Sequence, residues 1–219
     1  MSGLDPCAPG LRISVGVPGS GKSYGIGRDV KAAIRGGVWA RIVDPEGEWK
    51  TIPEDIADIV SRVEHIGDCM TPVGIVTHKT KRETRIDVDE ACRWCIEDDE
   101  HGRPTRGRAV ICHEAWMAAG RKDTSEEMEA MARTWRHTDS LVWLDAQRIT
   151  LISRDIIDIA TELRIYTQVG DRDIAILRDI GGRKLVEAID ACGARFDKGE
   201  SGWHVTLTRS RRPPYEIER

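Results

Sequence analysis

Apolar residues alternate at Leu11, Ile13 and Val15, the pattern of a strand. They give way to the glycine-rich stretch VGVPGSGKSY, after which Ile26, Val30, Ala33 and Ile34 recur at helical spacing. Gly36 and Gly37 supply the permissive backbone that stops this helix. A second strand rich in β-formers, VWARIVD at 38–44, runs into the turn DPEGEW. The stretch 52–83 is less regular and predicts a short helix near 54–59 and a strand at 72–77.

Val88, Ala91, Cys92, Cys95 and Ile96 then form one apolar helix face, with Asp87 and Glu90 spaced as an Asp version of a capping box at its start. A polar loop, 97–107, leads to an apolar strand at 109–112 that ends in His113 and Glu114. Thr124 or Ser125 opens a helix whose apolar face is Met128, Met131, Ala132 and Trp135. The strand SLVWLDAQ follows and ends in Gln147; residues 153–160 again look helical, and Leu163, Ile165, Thr167 and Val169 alternate. Beyond them the pattern predicts a turn at 170–173, a strand at 174–179, a short helix at about 183–190 and a last strand, WHVTLTR. Alternating strands and helices define an α/β fold with a mainly parallel central sheet flanked by helices. The chain reads as one domain over 1–219, with 1–10 and the proline-containing tail 209–219 as flexible arms.

Composition narrows the function classes. About a third of the 219 residues are charged, yet the net charge is only −4, so a nucleic-acid contact must come from a local cluster. The sequence holds neither a long apolar run nor a signal-peptide pattern at its start, and reads as a soluble intracellular protein. Cys92 and Cys95 have C-x-x-C spacing, but they share the apolar helix face and no second pair lies at ligand spacing, so both read as buried thiols. Seven Trp stand against one Phe, a bias without an explanation at the level of sequence.

The chemistry concentrates at 16–24. Gly16, Gly21, Lys22 and Ser23 fit G-x-x-x-x-G-K-[ST], with Val17, Pro18, Gly19 and Ser20 in the loop and Tyr24 just beyond. Glycines let successive backbone N–H groups point at phosphate oxygens, and the helix N-terminus adds attraction. Lys22 would reach the β- and γ-phosphates of ATP and the Ser23 hydroxyl would ligate Mg²⁺. Strand C-termini of a parallel sheet line the ligand crevice, so Asp44, Glu46 or Glu48 would lie near the nucleotide; alternatively DPEGEW is simply a turn. Glu114, delivered by an apolar strand, is the candidate general base, and Gln147 a sensor of the γ-phosphate or its water. Arg133 and Arg136 lie off the apolar face of their helix. Either Arg133 pairs with Glu129, or one of the two is a finger offered to a neighbouring subunit. The basic run 78–85, with Lys79, Lys81, Arg82 and Arg85, is either a solvated loop or a contact for DNA phosphates.

The order of these elements resembles the FtsK-HerA superfamily of P-loop ATPases over roughly 11–169. The match runs from the P-loop and the acidic turn through the strand ending in Glu114, the helix end Arg136–His137 and the strand ending in Gln147 to SRDIIDIATELRIY. Within it, short single-domain chains resemble genome-packaging ATPases of tailless, membrane-containing icosahedral viruses, and also Zot-like assembly ATPases of filamentous phages. The resemblance implies a RecA-like fold, a ring of six subunits pumping double-stranded DNA with ATP and Mg²⁺ between subunits, and residence in the host cytoplasm or with the virion. Virion vertex or membrane-associated viral proteins are its implied partners. It further implies phosphate and Mg²⁺ on Lys22 and Ser23, Glu114 as base, Gln147 as sensor, and Arg136 or Arg133 as the finger in trans. His113 departs from the family, which has Asp there to hold Mg²⁺ through water. Neutral imidazole is a poor ligand for a hard cation, so either Asp44 substitutes or Ser23 and water hold the metal. Two rivals are a Zot-like export ATPase, whose usual transmembrane helix is missing here, and a small-molecule P-loop kinase, whose arginine-rich lid is missing.

Overall fold

The computed structural model of the protein describes residues 5–49, 51–77, 80–96, 107–121, 123–168, 170–208 and 216–218. In chain order the elements are β1 (Gly10–Val15), α1 (Lys22–Arg35), β2 (Trp39–Val43), β3 (Val60–Arg62), β4 (Val73–Val76), α2 (Lys81–Ile96), β5 (Arg108–Cys112), β6 (Ala119–Gly120) and β7 (Asp123–Thr124). They continue with α3 (Glu126–Thr134), β8 (Leu141–Ala146), α4 (Arg154–Ile159), β9 (Glu162–Ile165), α5 (Asp171–Phe196), β10 (His204–Thr208) and β11 (Glu216–Glu218). Nine strands form one sheet in the order β11-β10-β9-β1-β8-β5-β2-β4-β3, and β6 pairs with β7 separately. Every pairing from β9 to β3 is parallel, and β10 and β11 add antiparallel at one end. The expected α/β architecture with a mainly parallel sheet is therefore what the chain adopts.

Strand residues alternate between two cores because successive side chains leave a strand on opposite faces. Ala40, Ile42, Ala109, Ile111, Leu141 and Trp143 pack against Ile26, Val30, Ala33 and Ile34 of α1. Val110, Cys112, Val142 and Leu144 face the other way, in a core completed by Cys92 and Cys95 of α2, Met128 and Met131 of α3, and Leu177, Leu185 and Ile189 of α5. Burial pushes the Cys95 thiol up to about 12, so the C-x-x-C pair is held as apolar thiols in the core. Among the described residues, six of the seven tryptophans have a cation over the ring, and Trp94 is approached by both Arg41 and Arg108. Trp offers the strongest aromatic face to a cation, which gives the Trp-for-Phe bias a physical reason in so highly charged a chain.

Several local expectations are corrected. Helix α2 begins at Lys81, so Lys81, Arg82 and Arg85 stand on its first turns rather than in a loop, and Asp87 and Glu90 do not cap it. Thr80 does, accepting from the Glu83 N–H at 3.3 Å. Asp87 and Glu90 instead accept the N–H groups of Ile66 (2.6 Å) and Gly67 (3.2 Å), the first donors of the short 3-10 helix Ile66–Asp68. The strand expected at 174–179 is helix, the first part of α5, which resumes after a non-helical Gly182. The short apolar run there reads either way by periodicity, and Asp171 and Asp173 in the first turn suit a helix start. Short β3 was not foreseen. Within the expected arms, residues 5–8 are tied to the sheet by Arg12, which donates to Asp5 O (2.6 Å) and Ala8 O (3.0 Å), and β11 pairs with β10. The loop 97–106 and the prolines of the tail lie outside the described residues.

Candidate nucleotide site

The four central strands β1, β8, β5 and β2 lie side by side and parallel, so their C-terminal ends open on one edge. From β1 springs the loop 16–21, from β8 Gln147, from β5 His113 and Glu114, and from β2 Asp44. Register then brings specific neighbours together. Cys112 is opposite Leu144 and Val43 opposite Cys112, so the next residues of β5 and β8, His113 and Asp145, stand side by side.

The loop has a defined backbone. Gly16 N–H donates to Ala146 O and Val17 N–H to Thr167 O, both at 3.1 Å. Gly19 and Gly21 have φ of +78° and +93°, which favour glycine. A Cβ on Gly16 would come within 2.5 Å of Tyr166 and one on Gly21 within 2.7 Å of the Gly202 backbone. Gly202 N–H in turn donates to Ser20 O at 2.8 Å, so a segment just before β10 walls the loop. Ser20 is buried, Pro18 and Gly19 are exposed, and Tyr24 is 80% exposed.

One cavity of about 310 Å³ is lined by Val17, Pro18, Gly19, Gly21, Lys22, Ser23, Tyr24, Glu46, Glu48, Glu114 and Gln147. The structure thus brings the loop, Lys22, Ser23, Glu114 and Gln147 into one place. Glu114 sits in the left-handed region (φ 53°, ψ 50°), uncommon for a residue with a side chain. Its N–H is held by Asp145 Oδ1 at 2.9 Å, and its two carboxylate oxygens accept from Gln147 Nε2 (3.2 Å) and Trp116 Nε1 (2.8 Å). Burial, reinforced by the Asp145 charge, raises its pKa above the ordinary carboxylate value, while the Gln147 bond opposes the rise.

Beneath the cavity lies a buried polar chain that sequence reasoning missed. Lys22 Nζ is 3.1 Å from Asp145 Oδ2, and the same oxygen is 2.8 Å from His113 Nδ1. Trp49 Nε1 donates to His113 Nε2 at 3.0 Å. Indole nitrogen is only a donor, so Nε2 must accept, and the proton of the neutral ring sits on Nδ1, directed at Asp145. Burial alone would raise the Asp145 carboxyl, but His113, Lys22 and the Glu114 N–H hold it down at about 2. Glu48, His113 and Asp145 place three ligand-type atoms within 4.8 Å. A cation on Nδ1 would displace its proton while Trp49 occupies Nε2, and Lys22 already supplies positive charge. That trio is better explained by hydrogen bonds than by a metal.

Other expected site residues fall elsewhere. Asp44 is fully buried and its two oxygens accept the N–H groups of Glu48 (2.9 Å) and Trp49 (2.8 Å). Both oxygens are thus engaged within the DPEGEW turn, and Asp44, expected as a metal ligand, is not among the residues that line the cavity. Arg133 and Arg136 are exposed and outside the cavity; Arg133 is 3.4 Å from Glu129, and Arg136 lies over the Trp135 ring. Lys81 and Arg85 both pair with Asp123, at 2.9 and 2.5 Å, Arg82 is exposed, and Lys79 lies outside the described residues. The signal for Asp145 was present in SLVWLDAQ, where it is the one acid in an apolar strand, two residues before Gln147 and hence on the same face.

The fold and the strand-loop-helix at its centre are those of the P-loop NTPases. No protein-family model and no curated protein matches the chain, but solved structures do. The chain is similar to the genome-packaging NTPase B204 of Sulfolobus turreted icosahedral virus 2 in complex with AMPPCP, with a TM-score of 0.73 at 12% identity, covering 98% of each chain. It is also similar to VirB4 of Thermoanaerobacter pseudethanolicus (TM-score 0.65, 10% identity, 99% of this chain and 93% of that). The N-terminal domain of zonular occludens toxin from Neisseria meningitidis follows at 0.50 and 12%, covering 97% and 95%. The resemblance read from the sequence holds at the level of the fold.

Proposed function

We propose that the protein is an ATPase that moves double-stranded DNA, in viral genome packaging. The observation that carries the ATPase reading is the single cavity in which Lys22 and Ser23 of the loop face Glu114 and Gln147. Lys22 has three donor hydrogens, so it can hold Asp145 and still donate to phosphate oxygens. The Glu114 carboxylate, fixed through both oxygens and raised in pKa, takes a proton from the attacking water. Gln147, bonded to that carboxylate, orients the same water. The Ser23 hydroxyl, with the Glu48 carboxylate beside it, would suit a cation as hard as Mg²⁺, which would neutralise charge developing on the phosphates.

Arg133 and Arg136 lie outside the chain's own cavity, the placement required of a finger that completes a neighbour's site in a ring of six. DNA as the moved polymer is supported by the end-to-end similarity to a packaging NTPase and by the exposed run on α2. Its ion pairs with Asp123 are solvent-screened surface pairs that phosphates would displace. No helix among the described residues is long and apolar enough to cross a membrane. ATP turnover with and without double-stranded DNA, run beside a sizing measurement, tests the proposal. Strong stimulation in an oligomer is expected; turnover that needs a small phosphate acceptor instead would overturn it in favour of a kinase.

A further inference from the structure

The acid that usually accompanies a P-loop serine at the metal is replaced by His113, and the two nearby aspartates are engaged. Asp44 is capped by two backbone N–H groups, and Asp145 is shared by Lys22, His113 and the Glu114 N–H. Glu48 differs from both. Its Oε1 accepts the Ser23 hydroxyl at 2.8 Å, its side chain is 32% exposed, and it lines the same cavity as Lys22 and Glu114. The turn that presents it is fixed from within, since Asp44 accepts the N–H groups of Glu48 and of Trp49, and Trp49 is buried with its indole bonded to His113.

We infer that Glu48 supplies the carboxylate of the Mg²⁺ shell in this chain, in place of an acid at position 113. Mg–oxygen bonds of 2.0–2.1 Å at right angles set neighbouring ligand oxygens about 2.9 Å apart. Ser23 Oγ and Glu48 Oε1 stand at 2.8 Å, so the pair that shares this hydrogen bond has the span of two adjacent ligands. Mg²⁺ is commonly held by one or two carboxylates together with phosphate oxygens and water, and Glu48 with Ser23 and a nucleotide provides that set. His113 then has a different task. Its ring buttresses Trp49 on one side and Asp145 on the other, and its Nδ1 lies 3.5 Å from the Glu48 carboxylate.

This inference rests on the nucleotide reading of the site, and the experiment separates the two. Binding of a non-hydrolysable ATP analogue is measured in EDTA, and Mn²⁺ is then titrated into the nucleotide complex and followed by electron paramagnetic resonance. Glu48→Gln is compared with wild type and with Glu54→Gln, which alters an exposed carboxylate outside the cavity. The expected result is Mn²⁺ affinity weakened by about tenfold or more in Glu48→Gln, as typically follows loss of a metal-site partner, with nucleotide affinity in EDTA unchanged and Glu54→Gln like wild type. Mn²⁺ affinity within about twofold of wild type would overturn the role of Glu48 and leave the nucleotide site standing. Loss of nucleotide binding by Glu48→Gln in EDTA would also overturn it, because the effect would not be on the cation. Failure of the wild-type protein to bind the analogue would overturn the nucleotide reading and this inference together.

Discussion

Asp145→Asn is the most discriminating change, because it removes one charge from a chain in which each group is committed to a neighbour. The depression of the carboxyl to about 2 corresponds to stability on the order of 2 kcal/mol at neutral pH. Breaking one side of a buried ion pair typically removes about 3–5 kcal/mol, and Lys22, at 7% exposure, lies close enough to solvent to favour the lower end. An asparagine can keep the bond from the Glu114 N–H through its oxygen, but then turns an NH₂ towards both Lys22 and the His113 Nδ1–H. Moving the His113 proton to Nε2 only transfers the clash to the Trp49 N–H. A loss of about 2–4 kcal/mol is therefore expected, seen as a lower midpoint in urea at pH 7 and a melting temperature reduced by roughly 4–9 °C for a chain of this size. A depressed carboxylate stabilises the fold fully above the unfolded-state pKa and loses that contribution as pH falls through about 2, so the gap between wild type and variant should narrow below about pH 4. In a Lys22→Ala background the same change should cost less by about 1–3 kcal/mol, since the stranded ammonium is gone. A loss below about 0.5 kcal/mol, or one equally large with and without Lys22, would refute the reasoning.

Glu114→Gln should bind nucleotide but turn it over at least about a hundredfold more slowly; loss of binding with an intact fold would move the base elsewhere. The raised Glu114 pKa places the acid limb of the rate profile above the ordinary carboxylate value, with activity appearing as pH rises and the base ionises. Gln147→Ala, which removes a bond favouring the carboxylate, should shift that limb further towards neutrality, and an unmoved limb would detach Glu114 from it. Mixing inactive Lys22→Ala with inactive Arg136→Ala subunits should restore turnover at interfaces that combine an intact Lys22 and an intact Arg136, given a finger worth roughly 10³-fold or more. No recovery in demonstrated mixed rings would argue against action in trans, and full activity of Arg136→Ala alone would transfer the role to Arg133 or abolish it.

Much of the fold was legible because its signals are local. The loop 16–23 announces itself by composition, and β1, β2, β5 and β8 by runs of apolar residues between turn formers. What escaped depends on partners distant in sequence. Asp87 and Glu90 look like a cap for their own helix, but the donors they satisfy are at 66 and 67, on another element. The run at 174–179 is too short for its period to separate strand from helix. In the site, strand-end residues could be named, but the divided use of four acids could not. Asp44, Glu48, Glu114 and Asp145 differ in role only because of which N–H, ammonium or hydroxyl each meets, and those meetings are set by sheet register and by a turn held on Trp49.

The wall that Gly202 gives the phosphate loop has a consequence for how the molecule is made. On a ribosome the loop emerges before the segments it depends on: among the described residues β1 pairs with β8 and β9, and the outer contact with Ser20 comes from Gly202, later still in the sequence. Until those segments are made, the loop has neither its sheet neighbours nor its cover. Pairings so far apart in sequence close late and slowly, because the entropy of a long loop must be overcome before any contact rewards it. The wall of the phosphate loop is thus complete only once residue 202 has been joined, so the site is finished late even though its most recognisable residues are made early.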